Sequence, residues 1–374
     1  MARLAQGRKT AWYFRDSVAF NTVSKLLVRA PNWLGDAVIS LPAIRAIRER
    51  FPAAEIALVA RPWVADLYAS EESIDRVIVY PAQNGWRAKR DFAARLRAEG
   101  FDCAILLPNA FDAALMAWLA GIPERIGYKR DARGFLLTRA IPVPEPGEIP
   151  RHQRFYYLEL LRRAGLLERF PQVDSILLGG IEAAREAGLR RLPALAASSP
   201  VIGVSPGAAY GSAKRWPPER FGEAAALTAR ATGSAVLIFG SSSERPLCET
   251  VAESVRRAGI NARNLAGETS LAEFIDLAAA CRLFLTNDSG AMHIASALAV
   301  PTVAVFGATD DSATGPTGPL SRVVREHAEC SPCLLRECPI DHRCMNRVSV
   351  ERVAAEAVQL WEASAAAWTH EAKS

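Results

Sequence analysis

Short, continuously apolar runs alternate along this chain with stretches of helical periodicity, and that alternation restricts its fold more than any other feature. Residues 25–31 (KLLVRAP), 55–60 (EIALVA), 76–80 (RVIVY) and 103–108 (CAILLP) form one series. Residues 201–207 (VIGVSPG), 234–240 (SAVLIFG), 282–286 (RLFLT) and 302–307 (TVAVFG) form a second. Such runs suit strands covered on both faces, and helical segments between them supply crossovers, so the pattern predicts α/β architecture with parallel sheets. Residues 36–50 place Val38, Leu41, Ile44, Ala46 and Ile47 roughly on one face, predicting a helix, and further helices are expected over 89–99, 154–164 and 349–368. The Pro-rich stretch 141–150 (IPVPEPGEIP) is a loop, and 190–200 (RRLPALAASSP) reads as a linker. The expectation is two doubly wound domains facing a cleft: a basic N-terminal extension (1–24), an N-terminal domain (25–189), the linker (190–200) and a C-terminal domain (201–374) ending in a helix.

At 374 residues, half of them apolar, the chain has enough material for two cores. Charged residues make up 23% with both signs present, which excludes wholesale disorder. No uncharged apolar run reaches the roughly 18 residues of a membrane span. The N-terminus carries Arg3, Arg8, Lys9 and Arg15 and lacks the apolar region of a secretory signal, so a cytoplasmic location is expected. Those first residues read either as a frayed tail or as a basic helix anchored on a membrane surface by Trp12, Tyr13, Phe14 and Phe20. The net charge of +5 is uneven: residues 1–175 hold 26 Lys and Arg against 19 Asp and Glu, and the remainder holds 19 against 21. A basic first half suits an anionic partner, or is simply a solvated Arg-rich surface. Nucleic acid is not expected, because no recognised binding motif is present and the second half is acidic.

Four segments carry candidate chemistry. In RAPNWLGDAVISLPAIRAI (29–47) a strand ends, Gly35 makes a tight turn, and Asp36 stands where a first βα turn faces the cleft. Asp36 is either a helix cap or a general base for a hydroxyl nucleophile. A helix N-terminus would lower its pKa. In TNDSGAMHIASAL (286–298) a strand again meets a helix; the N–H groups about Asp288, Ser289 and Gly290 suit a phosphate, and His293 follows one turn on, as a structural or a functional residue. PGAAYGSAKRWPPERF (206–221) places Lys214 on a third strand-end loop, a point charge fit for phosphate, and Glu244 ends the next strand, positioned for sugar or ribose hydroxyls or for starting a helix. Together these loops suit a diphosphate-linked donor. CSPCLLRECPIDHRC (330–344) groups Cys330, Cys333, Cys338 and Cys344 around His342, as a zinc knuckle or as reduced thiols. Neither a G-x-G-x-x-G fingerprint nor a Walker loop is present, which disfavours a dehydrogenase.

In these segments the chain resembles the lipopolysaccharide heptosyltransferases, glycosyltransferases of the GT-B fold. The segments carrying the resemblance are APNWLGDAVISLPAIRAI, SPGAAYGSAKRWPPERF, LAGETSLAEFIDLAAACRLFLTNDSGAMHIASALAVPTVAVFG and CSPCLLRECPIDHRCM. They span about residues 26–348; APNWLGDA and the Cys-rich segment favour the type II branch over type I. The resemblance implies two Rossmann-like domains, ADP-L-glycero-β-D-manno-heptose as donor, a Kdo-lipid A acceptor bearing one heptose, and no metal or cofactor. It implies Asp36 as catalytic base and Lys214, Glu244, Thr269, Asp288, Ser289, Gly290 and His293 as donor contacts, with the backbone near Thr269 at the adenine. Ala209 departs from the hydroxyl residues the family often has beside the phosphates. Arg61, Lys129, Arg130 and Arg133 look like acceptor contacts, and a lipid acceptor implies peripheral contact with the inner face of the inner membrane. The alternatives are a type I enzyme, a GT-B transferase using another nucleotide sugar, and a non-catalytic nucleotide-sugar or nucleic-acid binder.

Overall fold

A computed structural model describes residues 23–81, 85–194 and 199–365. The readings of Trp12, Tyr13, Phe14 and Phe20 in the N-terminal extension, of the linker at 195–198 and of the last helix beyond 365 lie outside the described residues. Two six-stranded sheets build the molecule. The first contains β1 (Lys25–Arg29), β2 (Glu55–Ala60), β3 (Arg76–Val79), β4 (Cys103–Leu106), β5 (Glu124–Tyr128) and β6 (Arg139–Ile141), in the order β3-β2-β1-β4-β5-β6. The second contains β7 (Val201–Ser205), β8 (Ala235–Ile238), β9 (Ala262–Asn264), β10 (Leu283–Asn287), β11 (Thr302–Val305) and β12 (Ser321–Val324), in the order β12-β11-β10-β7-β8-β9. Every strand pair is parallel. All carboxyl ends of one sheet therefore open the same way, and each strand order reverses at one point, β1/β4 in the first sheet and β7/β10 in the second. Ligands of open α/β sheets sit at such reversals.

The eight apolar runs are all strands. β5, β6, β9 and β12 carry no such run, because they hold Glu124, Arg125, Arg139, Arg263 and Arg322. Those strands lie at or next to sheet edges, where one face meets water. The helix expected over 36–50 is two helices, Leu34–Ile39 and Leu41–Arg50. Pro42 causes the break: its ring would clash with the carbonyl of Val38, and it has no N–H to give. Ser40 fills the gap by donating its hydroxyl to Ala37 O at 2.8 Å.

Packing carries the chain into the second lobe before the linker. The helix Ile181–Arg191 lies against the helix Leu271–Ala279, and a Cβ on Gly188 would stand 1.9 Å from Asp276 O. Leu178 N also donates to Ala297 O at 2.8 Å. One buried cluster accordingly runs through both lobes, from Leu26 and Ile44 to Phe284 and Ile294. Among the described residues no helix is long and apolar enough to cross a membrane.

Candidate active site

Three strand-end turns meet where the lobes face each other: the turn after β1 and those after β7 and β10, the two strands at the second sheet's reversal. The first brings the helix Leu34–Ile39, and the third brings the helix Gly290–Ala297. Their N-terminal turns touch. A Cβ on Gly290 would fall 2.7 Å from Leu34 Cβ, and one on Gly35 would fall 2.8 Å from His293 Cδ2. Glycine suits both places because the His293 ring lies against Gly35 and the Leu34 side chain against Gly290, leaving no room for a Cβ.

Asp36 projects from this junction. It does not cap its helix: the cap position is Trp33, which provides no side-chain hydrogen bond, and Asp36 lies within the first turn. Among the described residues nothing donates a hydrogen bond to its carboxylate. Burial raises its pKa from the usual 3.8 to about 6, and the Lys214 ammonium across the cleft pulls in the opposite direction. The lowering expected from the helix terminus is thus outweighed by desolvation. A carboxylate poised near neutrality, unpaired and close to a cation of the opposite lobe, has the properties of a general base.

Lys214 lies on the turn after β7 and is nearly buried. Its Nζ is 2.6 Å from Asp288 Oδ2 and 4.8 Å from the centre of the Tyr210 ring. Asp288 also accepts a hydrogen bond from Thr309 Oγ1. With its charge thus engaged, Asp288 holds Lys214 in place. Ser289 precedes the helix Gly290–Ala297 in extended conformation, its Oγ 3.3 Å from Thr286 Oγ1. The first N–H groups of that helix have no intrahelical partner and point out of its terminus. His293 sits below them, buried, and burial lowers its pKa to about 4, so its imidazole is neutral at physiological pH.

Glu244 has one oxygen committed. Its Oε2 accepts from Ser241 N at 2.9 Å and Ser241 Oγ at 2.8 Å, a capping box that starts the next helix. Its Oε1 lies over Gly207, where a Cβ would come within 2.1 Å. Thr269 stands apart, lining a cavity of about 250 Å3 with Arg191, Pro193, Arg263, Leu265 and Glu268.

The residues read as acceptor contacts separate into two groups. Lys129 and Arg130 are exposed. Arg61 is partly buried, with its guanidinium 4.1 Å from the Tyr80 ring centre and 3.7 Å from Asp112. Arg133 departs from expectation: it is fully buried, and donates to Tyr128 O at 3.0 Å and to Pro108 O. Its guanidinium ties the turn after β5 to the end of β4, and although Nη2 has no hydrogen-bond partner among the described residues, the whole group is shut off from solvent and out of a ligand's reach.

Two supports were not legible beforehand. Buried Asn287 donates from Nδ2 to Pro206 O at 2.6 Å and accepts from Trp216 N at 3.0 Å, fastening the turns after β7 and β10 together. Its place beside Asp288 was the only signal. The Cys-rich segment braces the Lys214 turn: Ala213 N donates to Arg336 O at 3.0 Å and Tyr210 Oη to Leu334 O at 2.9 Å. Among the described residues no three His, Cys, Asp or Glu side chains converge to hold a metal, so the zinc reading finds no geometry here, and the four thiols are free.

Comparison with known proteins adds an independent line. The sequence profile described as glycosyltransferase family 9 (heptosyltransferase) matches residues 89–343. Lipopolysaccharide heptosyltransferase 2 of Escherichia coli K12 is 31% identical over 308 residues, covering 80% of this chain and 88% of that protein. The protein of the same name from Salmonella typhimurium is 32% identical over 309 residues with the same coverage. The solved structure of E. coli ADP-heptose LPS heptosyltransferase II superposes with a TM-score of 0.75 at 29% identity, covering 91% of this chain and 99% of that one.

Proposed function

The chain belongs to glycosyltransferase family 9, the heptosyltransferases, and from that premise we propose that it moves L-glycero-D-manno-heptose from ADP-heptose to the first heptose of a Kdo-lipid A core. The observation that carries this reading is the meeting of an unpaired Asp36 from one lobe with Lys214 and the Gly290 helix terminus from the other.

The steps follow from those groups. The donor diphosphate lies between Lys214 Nζ and the free N–H groups at Gly290 and beyond, with the adenosine running toward Glu244 and Thr269. Asp36 takes the proton from an acceptor hydroxyl as oxygen attacks the anomeric carbon from the face opposite ADP, inverting its configuration. The C–O bond to the diphosphate breaks, and the charge gathering on ADP is stabilised by the ammonium and the helix N–H groups, already oriented before reaction; one such donor is worth about 3–4 kcal/mol. Asp288 and Thr309 keep the lysine aimed. Arg61, Lys129 and Arg130 contact acceptor phosphate or carboxylate. A lipid-linked acceptor places the protein at the inner face of the inner membrane.

The test is mass analysis of transfer to purified acceptors carrying no heptose or one, with ADP-heptose, GDP-mannose and UDP-sugars offered in parallel. A single added heptose on the one-heptose acceptor, from ADP-heptose alone, is expected. Transfer only to the heptose-free acceptor would make the enzyme a type I transferase, and transfer from another nucleotide sugar would displace the donor assignment.

A further inference from the structure

Large aromatic side chains stand in water at one end of the first sheet. Trp33 follows β1, Trp63 follows β2, Trp86 follows β3, Phe111 follows β4, and Phe135 lies between β5 and β6. Because the strands are parallel, all five connections emerge at the same end, the carboxyl rim. Phe135 is 76% exposed and Trp86 57%. Contacts link the set. Trp63 Nε1 donates to Asn32 O at 2.8 Å beside Trp33, Arg61 lies 5.7 Å from the Trp63 ring centre, and the Phe111 and Phe135 rings are 6.2 Å apart.

Exposed cations stand among them: Arg87 and Arg90 on the helix Trp86–Glu99, and Lys129 and Arg130 before Phe135. Exposed Asp66, Asp91 and Asp131 offset them in part, Asp131 lying 3.8 Å from Arg130, and one net positive charge remains among these seven exposed groups. Charged groups link the connections after β2, β3 and β4: Asp112 Oδ1 is 2.6 Å from Lys89 Nζ, with Arg61 and Tyr80 alongside. A protein-binding hot spot concentrates its aromatics in a desolvated middle. Here the aromatics are strung along the rim, one per connection, with charged groups between them rather than one desolvated aromatic patch. Tryptophans at a rim, with arginine and lysine between them, match the boundary between headgroups and acyl chains of a bilayer with negative surface charge.

We infer that this rim docks the enzyme on an anionic phospholipid surface, aromatics reaching the acyl boundary and cations meeting phosphates, with the mouth of the first lobe facing the membrane. The inference rests on the proposed lipid-linked acceptor for its purpose, yet its test uses neither donor nor acceptor. Vesicles of phosphatidylethanolamine with about 30 mol% phosphatidylglycerol, and vesicles of phosphatidylcholine, are pelleted with the full chain, at salt near physiological where the surface potential still acts.

Wild type is expected to pellet with the anionic vesicles and not with phosphatidylcholine. Joint Trp86→Ser and Phe135→Ser is expected to weaken partitioning at least tenfold. Joint Arg87→Gln and Arg90→Gln is expected to weaken it by about fivefold per cation. The control is Trp118→Ser: Trp118 is 50% exposed at the far end of the helix Phe111–Leu119, which runs away from the carboxyl rim, and its loss should change partitioning less than twofold. Melting temperatures matching wild type establish that the variants are folded. No pelleting by wild type, equal pelleting by the aromatic pair, or equal damage from Trp118→Ser would each overturn the inference. A chain that transfers heptose but fails this test keeps its activity and loses only this surface.

Discussion

Replacing Asp36 by Asn should stabilise the protein while silencing it. The carboxylate is held in a desolvated position with a pKa near 6 against a usual 3.8, about two units net of the attraction of Lys214. At roughly 1.4 kcal/mol per unit, an ionised Asp36 costs the ligand-free fold about 3 kcal/mol at neutral pH. The sign follows from proton binding. Between about pH 4 and pH 6 the folded state binds more protons than the unfolded state, so stability falls as pH rises through that window. Above it the penalty is constant, and below it both states are protonated and the penalty vanishes. Asn carries no charge, so Asp36→Asn should melt about 6–12 °C higher at pH 7.5 for a lobe of this size, with the gain shrinking toward zero at pH 4. Calorimetry of both proteins across pH 4–8 measures this. In parallel, wild-type kcat/KM should fall about tenfold per pH unit below about pH 6 as the base is protonated, and Asp36→Asn should lose at least about 1000-fold in turnover while still binding ADP. A variant with no pH-dependent gain in stability would refute the buried-charge argument, and one with more than a tenth of wild-type turnover would refute the base assignment.

Lys214→Met should weaken ADP binding at least tenfold by calorimetric titration and also lower the melting temperature, because it leaves Asp288 charged and nearly buried without its partner, a loss of about 3–5 kcal/mol; unchanged ADP affinity would take Lys214 out of the phosphate site. Gly35→Ala drives a methyl group to 2.8 Å from His293 Cδ2, and overpacking of about 1–3 kcal/mol should push the lobes apart and cut turnover, whereas normal melting and normal rate would mean the junction yields freely. Arg133→Ala should cost about 3 kcal/mol in stability through lost bonds to Tyr128 O and Pro108 O, with acceptor KM unaltered in the folded fraction; a raised KM at unchanged stability would restore it as an acceptor contact.

The central strands and the glycine turns could be read from sequence because their causes are local. A strand covered on both faces must be apolar through its middle, as β1 (Leu26–Val28), β4, β7 (Val201–Val204) and β10 (Leu283–Leu285) are, and a turn pressed against another element must have glycine, as at Gly35 under the His293 ring and at Gly290 against Leu34. Candidate roles for Asp36 and Lys214 followed from where such turns fall on a doubly wound sheet. Asp288 was legible as part of the site but not as the lysine's anchor, since its partner lies on a different strand-end turn. Arg133 misled because an arginine on a loop looks the same whether water or carbonyl groups receive its N–H donors.

What the sequence determined by itself was therefore periodicity and chain conformation: two series of parallel strands, where their turns fall, and which residue types those turns carry. Tertiary structure alone decided which charges meet. It set Asp36 of one lobe before Lys214 of the other and withdrew it from water, buried Arg133, and gathered five exposed aromatics from five connections onto one rim. The reason is physical: hydrophobic period and turn preference act over a few residues, whereas desolvation and Coulomb interaction depend on distance through space, which only the folded chain defines.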